Sequence, residues 1–142
     1  MTAVELTEEQ RRRIHEALET VPFAKLIGLE LETIERGLAV MSLKIRADLK
    51  QNNGLVHGGA IASLVDTAMA FAIIPLLDEG ERATTVDLTL NYLRPLTSGR
   101  ARATARVLRA GRRVIAVSAD VSDELSNLTA TALSTYLRLS SR

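Results

Sequence analysis

A chain of 142 residues with 18 Lys plus Arg against 17 Asp plus Glu carries a formal charge of only +1, and its 46% hydrophobic and 25% charged residues match an ordinary globular protein. With 3% aromatics and no Trp, the stacking platforms of nucleic-acid binding have almost no material, so no nucleic-acid partner is expected. Zero Cys and two His exclude disulfides, thiolate zinc sites and cysteine nucleophiles, and make a histidine-rich metal centre improbable.

That length predicts one domain spanning residues 1–142. Thr7-Glu8-Glu9 supplies a helix cap and early acids, and Ile14, Ala17, Leu18 and Val21 recur at helical spacing, so an amphipathic helix is predicted over about residues 7–21, ending near Pro22. The opening twenty residues are charged throughout, which does not fit a secretory signal, and a cytoplasmic location is expected. From Ile27 to about Arg46 the pattern shortens to alternations, and Glu35-Arg36-Gly37 reads as the turn of a hairpin. Gln51-Asn52-Asn53-Gly54 is a polar turn that precedes twenty apolar residues, Gly58 to Leu77, whose one charge is Asp66. Alanine richness, the mid-segment Asp66 and Pro75 argue for a buried core helix rather than a membrane span.

Past Pro75, period-2 alternation predicts four strands in succession. Val86, Leu88, Leu90 and Tyr92 are assigned to one face of the first, and Thr85, Asp87, Thr89 and Asn91 to the other. Ala101, Ala103, Ala105 and Val107 form a face of the second, Ile115, Val117, Ala119 and Val121 of the third, and the last runs from about Leu128 to Leu139. Short turns between successive strands imply antiparallel pairing. The expected architecture is α+β: a six-stranded antiparallel sheet fully covering one apolar helix, whose alanines permit close approach.

Asp66 is the chemically informative residue. A carboxylate in a buried helix must be paired or hydrogen-bonded, which leaves two readings: a structural acid bonded to a neighbouring Ser or Thr, or a general base or nucleophile. Gly58-Gly59 follows His57 at the helix start, where unpaired N–H groups point outward. Such a start suits either an oxyanion site or a simple flexible entrance, and His57 either bonds the helix entry or helps hold substrate. Gly58 and Asp66 are eight residues apart, about 12 Å on one straight helix, too far to serve one carbonyl and its attacking water. If both act in one reaction they come from different chains, which predicts two antiparallel central helices and two composite sites per dimer.

Gly54-x-x-His57-Gly58-Gly59, Leu64-x-Asp66-x-Ala68 and the strand Thr84 to Pro95 together resemble the hotdog-fold acyl-CoA thioesterases, specifically the phenylacetate-degradation type, over roughly Phe23 to Leu139. The resemblance implies a hotdog fold with a six-stranded sheet wrapped around the central helix, homodimers joined edge to edge, and a homotetramer. It implies hydrolysis of an acyl-CoA or aryl-CoA thioester to free acid and CoA, with no metal and no organic cofactor. Asp66 would then activate water or attack the thioester, Gly58 N–H would polarise its carbonyl with His57 beside it, and Thr85 would orient the water. Many relatives carry an Asn three residues before the motif glycine. Gln51 stands there, followed by Asn52 and Asn53, so either Gln51 or Asn52 fills that role, with Asn53 and Gly59 near the substrate. A non-catalytic acyl-CoA-binding hotdog module is the alternative. CoA phosphates call for arginine, and Arg94, Arg100, Arg102, Arg106, Arg109, Arg112 and Arg113 are the candidates.

Overall fold

Thr7 opens the first helix in the computed structural model, which describes residues 4–140; the outermost residues of the expected domain, 1–3 and 141–142, lie outside the described residues. Its hydroxyl accepts from Gln10 N–H while the Gln10 side chain accepts from Thr7 N–H, a reciprocal box that starts α1 (Glu8–Glu19). Ile14 and Leu18 form its buried stripe. The predicted end near Pro22 is close, but Pro22 also begins something the alternation did not suggest. Its fixed φ suits a first helical position, and a short helix, α2 (Pro22–Ile27), follows and stops at the left-handed Gly28.

Strands β1 (Leu29–Glu35) and β2 (Leu38–Lys44) form the expected hairpin, followed by the central helix α3 (Gly58–Ile73). Then come β3 (Arg82–Tyr92), β4 (Arg100–Ala110), β5 (Val114–Ser122) and β6 (Leu128–Leu139). All pairings are antiparallel, in the order β1-β2-β4-β5-β6-β3. The chain leaves β2, crosses the sheet as α3, and returns at the far edge as β3. The expected inner faces of β4 and β5 are buried, with Ala101, Ala103, Ala105, Ile115 and Val117 fully so. Small alanines there let α3 lie close against the sheet.

Two expectations are corrected. A single sheet reaches only the side of a helix that faces it, so α3 is not covered all round. Leu64, Val65, Ala68, Met69, Ala72 and Ile73 are sealed, whereas Ala62, Ser63, Asp66, Thr67 and Ala70 form a half-open stripe. Met69, Phe71 and Ile73 are therefore buried in the core.

The second correction concerns β3. Its register against β6 runs Thr85↔Tyr136 and then Asp87↔Thr135, so Val86 is an extra residue, a bulge. One inserted residue swaps the faces on its two sides. Thr85 consequently points at the helix with Leu88, Leu90 and Tyr92, while Val86 is 56% exposed.

Candidate active site

The loop before α3 is pinned at both of its sides. His57 N–H donates to Leu49 C=O and Val56 N–H to Leu96 C=O, each at 2.8 Å, which sets where the helix begins. His57 is the N-cap residue, its Nδ1 accepting from Gly59 N–H at 2.8 Å. That bond makes Nδ1 an acceptor and places any imidazole proton of the neutral ring on Nε2. It also explains Gly59, since a Cβ there would sit 2.9 Å from His57 Nδ1. On this geometry His57→Ala is expected to cost about 1 kcal/mol of stability while His57→Asn, a good cap, retains it, as read from urea unfolding midpoints. A kcat loss in the stable Asn variant would then mark a role for the ring beyond capping.

Gly58 presents the first unpaired N–H of α3: among the described residues no acceptor takes it. Tyr92, at the end of β3, lies over this turn. Its hydroxyl donates to Gly58 C=O at 2.6 Å, and a Cβ on Gly58 would stand 3.0 Å from its ring and hydroxyl. A residue larger than glycine would have to push Tyr92 aside. Burial pushes the Tyr92 phenol up, so it remains a donor. Gly58 and Tyr92 wall a cavity of about 360 Å³ whose other lining residues include Gln51, Ile61, Arg94 and Thr129.

Of the two residues considered for the family's Asn position, Gln51 lines this cavity and Asn52 does not. Asn53 instead closes the turn, its Oδ1 accepting from Leu55 N–H at 3.2 Å. Among the arginines, Arg94 is the one at the cavity. Arg100 and Arg102 pair with Glu30 and Glu32, and Arg109, Arg112 and Arg113 gather at the β4–β5 hairpin.

Asp66 lies two helical turns further along, on the half-open stripe, outside the lining of that cavity. Its partners are not its helical neighbours. Ser63 and Thr67 turn their hydroxyls back to carbonyls one turn earlier, Gly59 and Ser63 respectively. The Asp66 carboxylate is held across the sheet instead. Thr85 Oγ1 donates to its Oδ1 at 2.8 Å, and the Tyr136 hydroxyl donates to the same oxygen at 2.8 Å. The inward placement of Thr85 depends on the Val86 bulge.

Tyr92 and Tyr136 were not singled out by motif spacing. The signal available was chemical: these are the chain's two tyrosines, both on strands facing an apolar helix, and a tyrosine in such a place needs an acceptor for its hydroxyl. The structure thus forms two half-sites on one helix, a backbone donor with a cavity at its start and a held carboxylate near its middle.

A family model described as the thioesterase superfamily matches residues 53–130, which contain Gly58, Asp66, Thr85 and Tyr92 but neither Gln51 nor Tyr136. The medium/long-chain acyl-CoA thioesterase YigI of Escherichia coli is 30% identical, the alignment covering 96% of this chain and 99% of that protein. The acyl-coenzyme A thioesterase PaaI of E. coli is 31% identical over 100 residues, 70% of this chain and 69% of its own. The solved PaaI structure superposes with a TM-score of 0.83 at 24% identity, covering 92% of this chain and 94% of that one. Thioesterase HI1161 from Haemophilus influenzae superposes with a TM-score of 0.85 at 22% identity, over 95% and 92% of the two chains. These two likenesses establish the fold, and the family match with the sequence relatives establishes the class: the chain belongs to the thioesterase superfamily, in its hotdog, PaaI-like branch, and is a thioester hydrolase.

Proposed function

We propose that this chain, as one hotdog domain, hydrolyses an acyl-CoA or aryl-CoA thioester to the free acid and CoA at sites shared between two copies. The observation that carries the reading is Asp66, a half-buried carboxylate fixed by Thr85 and Tyr136 on the stripe of α3 that the sheet leaves uncovered. Gly58, about 12 Å along the same helix, is the complementary donor. An antiparallel second α3 laid along the open stripe brings one chain's Asp66 to the other chain's Gly58.

Strand β3 supports this arrangement. It is an edge strand of eleven residues with one side unpaired, the kind of edge that proteins cover. Pairing β3 with its copy joins two sheets and apposes the two helices. Val114, Leu133 and Leu137, exposed on the outer face, supply an apolar patch for the pairing of dimers into a homotetramer.

In the composite site the thioester carbonyl oxygen accepts from Gly58 N–H, whose dipole and fixed position favour the developing oxyanion. Asp66 either takes the proton of an attacking water, oriented by the Thr85 hydroxyl, or attacks the carbonyl carbon itself. The C–S bond then breaks and CoA leaves as its thiolate, giving the free acid directly when water attacks, or an acyl–Asp66 anhydride that a water then cleaves to the acid and the free carboxylate when Asp66 attacks. Gln51 bonds the substrate at the cavity wall, the apolar part of the cavity takes the adjoining chain of the substrate, and Arg94 offers a cation to the phosphates. No group in this scheme requires a metal or organic cofactor. YigI acts on medium- and long-chain acyl-CoA by its name, and this chain's aliphatic cavity lining of Leu55, Val56 and Ile61 favours an aliphatic acyl group.

The test is a panel of aliphatic and aromatic acyl-CoA thioesters with a thiol reagent reporting free CoA. Release is expected with at least one class, with kcat/KM above about 10⁴ M⁻¹s⁻¹ for the best member. Binding of the panel with no CoA release would assign the domain to acyl-CoA binding alone.

A further inference from the structure

Both hydroxyls that hold Asp66 reach one atom. Thr85 and Tyr136 face each other across the β3–β6 ladder, and each donates to Oδ1 at 2.8 Å. The Tyr136 proton is forked, its second acceptor being the Asp66 backbone carbonyl at 2.9 Å. A carboxylate oxygen has two lone-pair sites, and two donors occupy both of them on Oδ1. Oδ2 accepts from no group among the described residues. The two oxygens of Asp66 are therefore chemically unlike. The one engaged twice is the poorer proton acceptor and the poorer nucleophile, and the other retains its lone pairs.

Tyr136 is suited to hold this state. Its side chain is 1% exposed, so the ring is locked in the core behind the carboxylate. Burial is the main cause that pushes its phenol far above the usual range; a hydrogen bond with Thr85 opposes it, and the charge of Asp66 and the bond to it add smaller upward contributions. It stays protonated wherever the enzyme works and does not compete with Asp66 for the proton of the attacking water. Thr85 sits at the exposed side and has lone pairs left for a water, whereas Tyr136 is sealed from solvent and has only Asp66 to serve.

We infer that Tyr136 is a positioning residue for the reaction, fixing the Asp66 carboxylate together with Thr85 so that Oδ2 alone is presented to the thioester or its attacking water. This rests on the role given to Asp66 above.

Tyr136→Phe deletes the hydroxyl and keeps the ring, and Tyr136→Met is the second variant should the first fail to fold by circular dichroism. The expected result is a kcat lowered about 10- to 100-fold with KM within about twofold, because a carboxylate free to rotate spends little time in the reactive geometry. In an Asp66→Ala background the same change is expected to alter the residual rate by less than about twofold, since its only route to the chemistry has been removed. Wild-type kcat in Tyr136→Phe, with Asp66→Ala inactive, overturns the inference and leaves the proposed function standing. An equal further loss in the Asp66→Ala background also overturns it, by showing that Tyr136 acts on the substrate directly. Wild-type turnover in Asp66→Ala itself would instead remove the functional reading on which the inference rests.

Discussion

Asp66→Ala is expected to lower kcat for CoA release by about 10³-fold or more with little change in KM, because the carboxylate acts on the reacting centre and contributes little to ground-state binding. The fold has reason to survive the change. Asp66 is half-exposed, so its loss leaves no sealed cavity, and the Tyr136 hydroxyl keeps an acceptor in the backbone carbonyl of residue 66 at 2.9 Å. A loss of activity with an unchanged melting midpoint would thus report on chemistry. Asp66→Asn is a sharper version: the amide keeps the size of the side chain and one oxygen for the two hydroxyls, but it supplies neither a base nor a nucleophile. Retention of more than about a tenth of wild-type kcat in both variants would sink the assigned role.

Restored activity in a mixed dimer is the second large effect. One subunit carries Asp66→Ala and an intact Gly58; the other carries Gly58→Val and an intact Asp66. Each homodimer is expected to be inactive, since valine both crowds the N–H of residue 58 and displaces Tyr92, whose ring and hydroxyl lie 3.0 Å from where a Cβ would stand. In the heterodimer one composite site combines both defects and the other combines neither. A heterodimer isolated through two different tags should therefore show about half the wild-type rate per dimer, as two-fold symmetry requires. Tyr92 is 56% exposed and its contact with residue 58 involves the far end of the ring, so it has room to swing out and the valine subunit can fold. An inactive heterodimer, with both parent subunits folded, would show that each chain completes its own site.

How far the sequence carried depends on which physical signal each residue leaves. The fold was readable because binary patterning is strong in Ala101 to Val107 and Ile115 to Val121, and because short turns force antiparallel pairing. Asp66 announced itself as a charge in an apolar helix, and Gly58 as a helix start. The bulge at Val86 left no such mark. Thr85-Val86-Asp87-Leu88 alternates polar and apolar residues without a break, and only the pairing with β6 reveals that one residue is surplus. The open stripe of α3 was hidden for a related reason: hydrophobicity shows that a helix seeks cover, not how much cover one chain provides. Tyr136 was hidden because period two assigns it a face but not a target, and its target belongs to another element. Which of Gln51 and Asn52 lines the cavity depends on a loop whose path is fixed by backbone bonds to Leu49 and Leu96, which local composition does not encode.

The bulge at Val86 makes the geometry around Asp66 depend on how β3 accommodates a surplus residue as well as on the side chains it carries. Along β3, exchanging one outward side chain for another leaves Thr85 where it is. Drawing Val86 into regular pairing with β6 would turn Thr85 away from the helix and leave Asp66 with a single hydroxyl, whereas deleting Val86 would keep Thr85 opposite Tyr136 in an unbroken ladder. What the site needs is therefore that Thr85 stay in register with Tyr136, whichever side chain stands at the bulge. Variation in substrate preference can accumulate around the cavity while that register stays fixed.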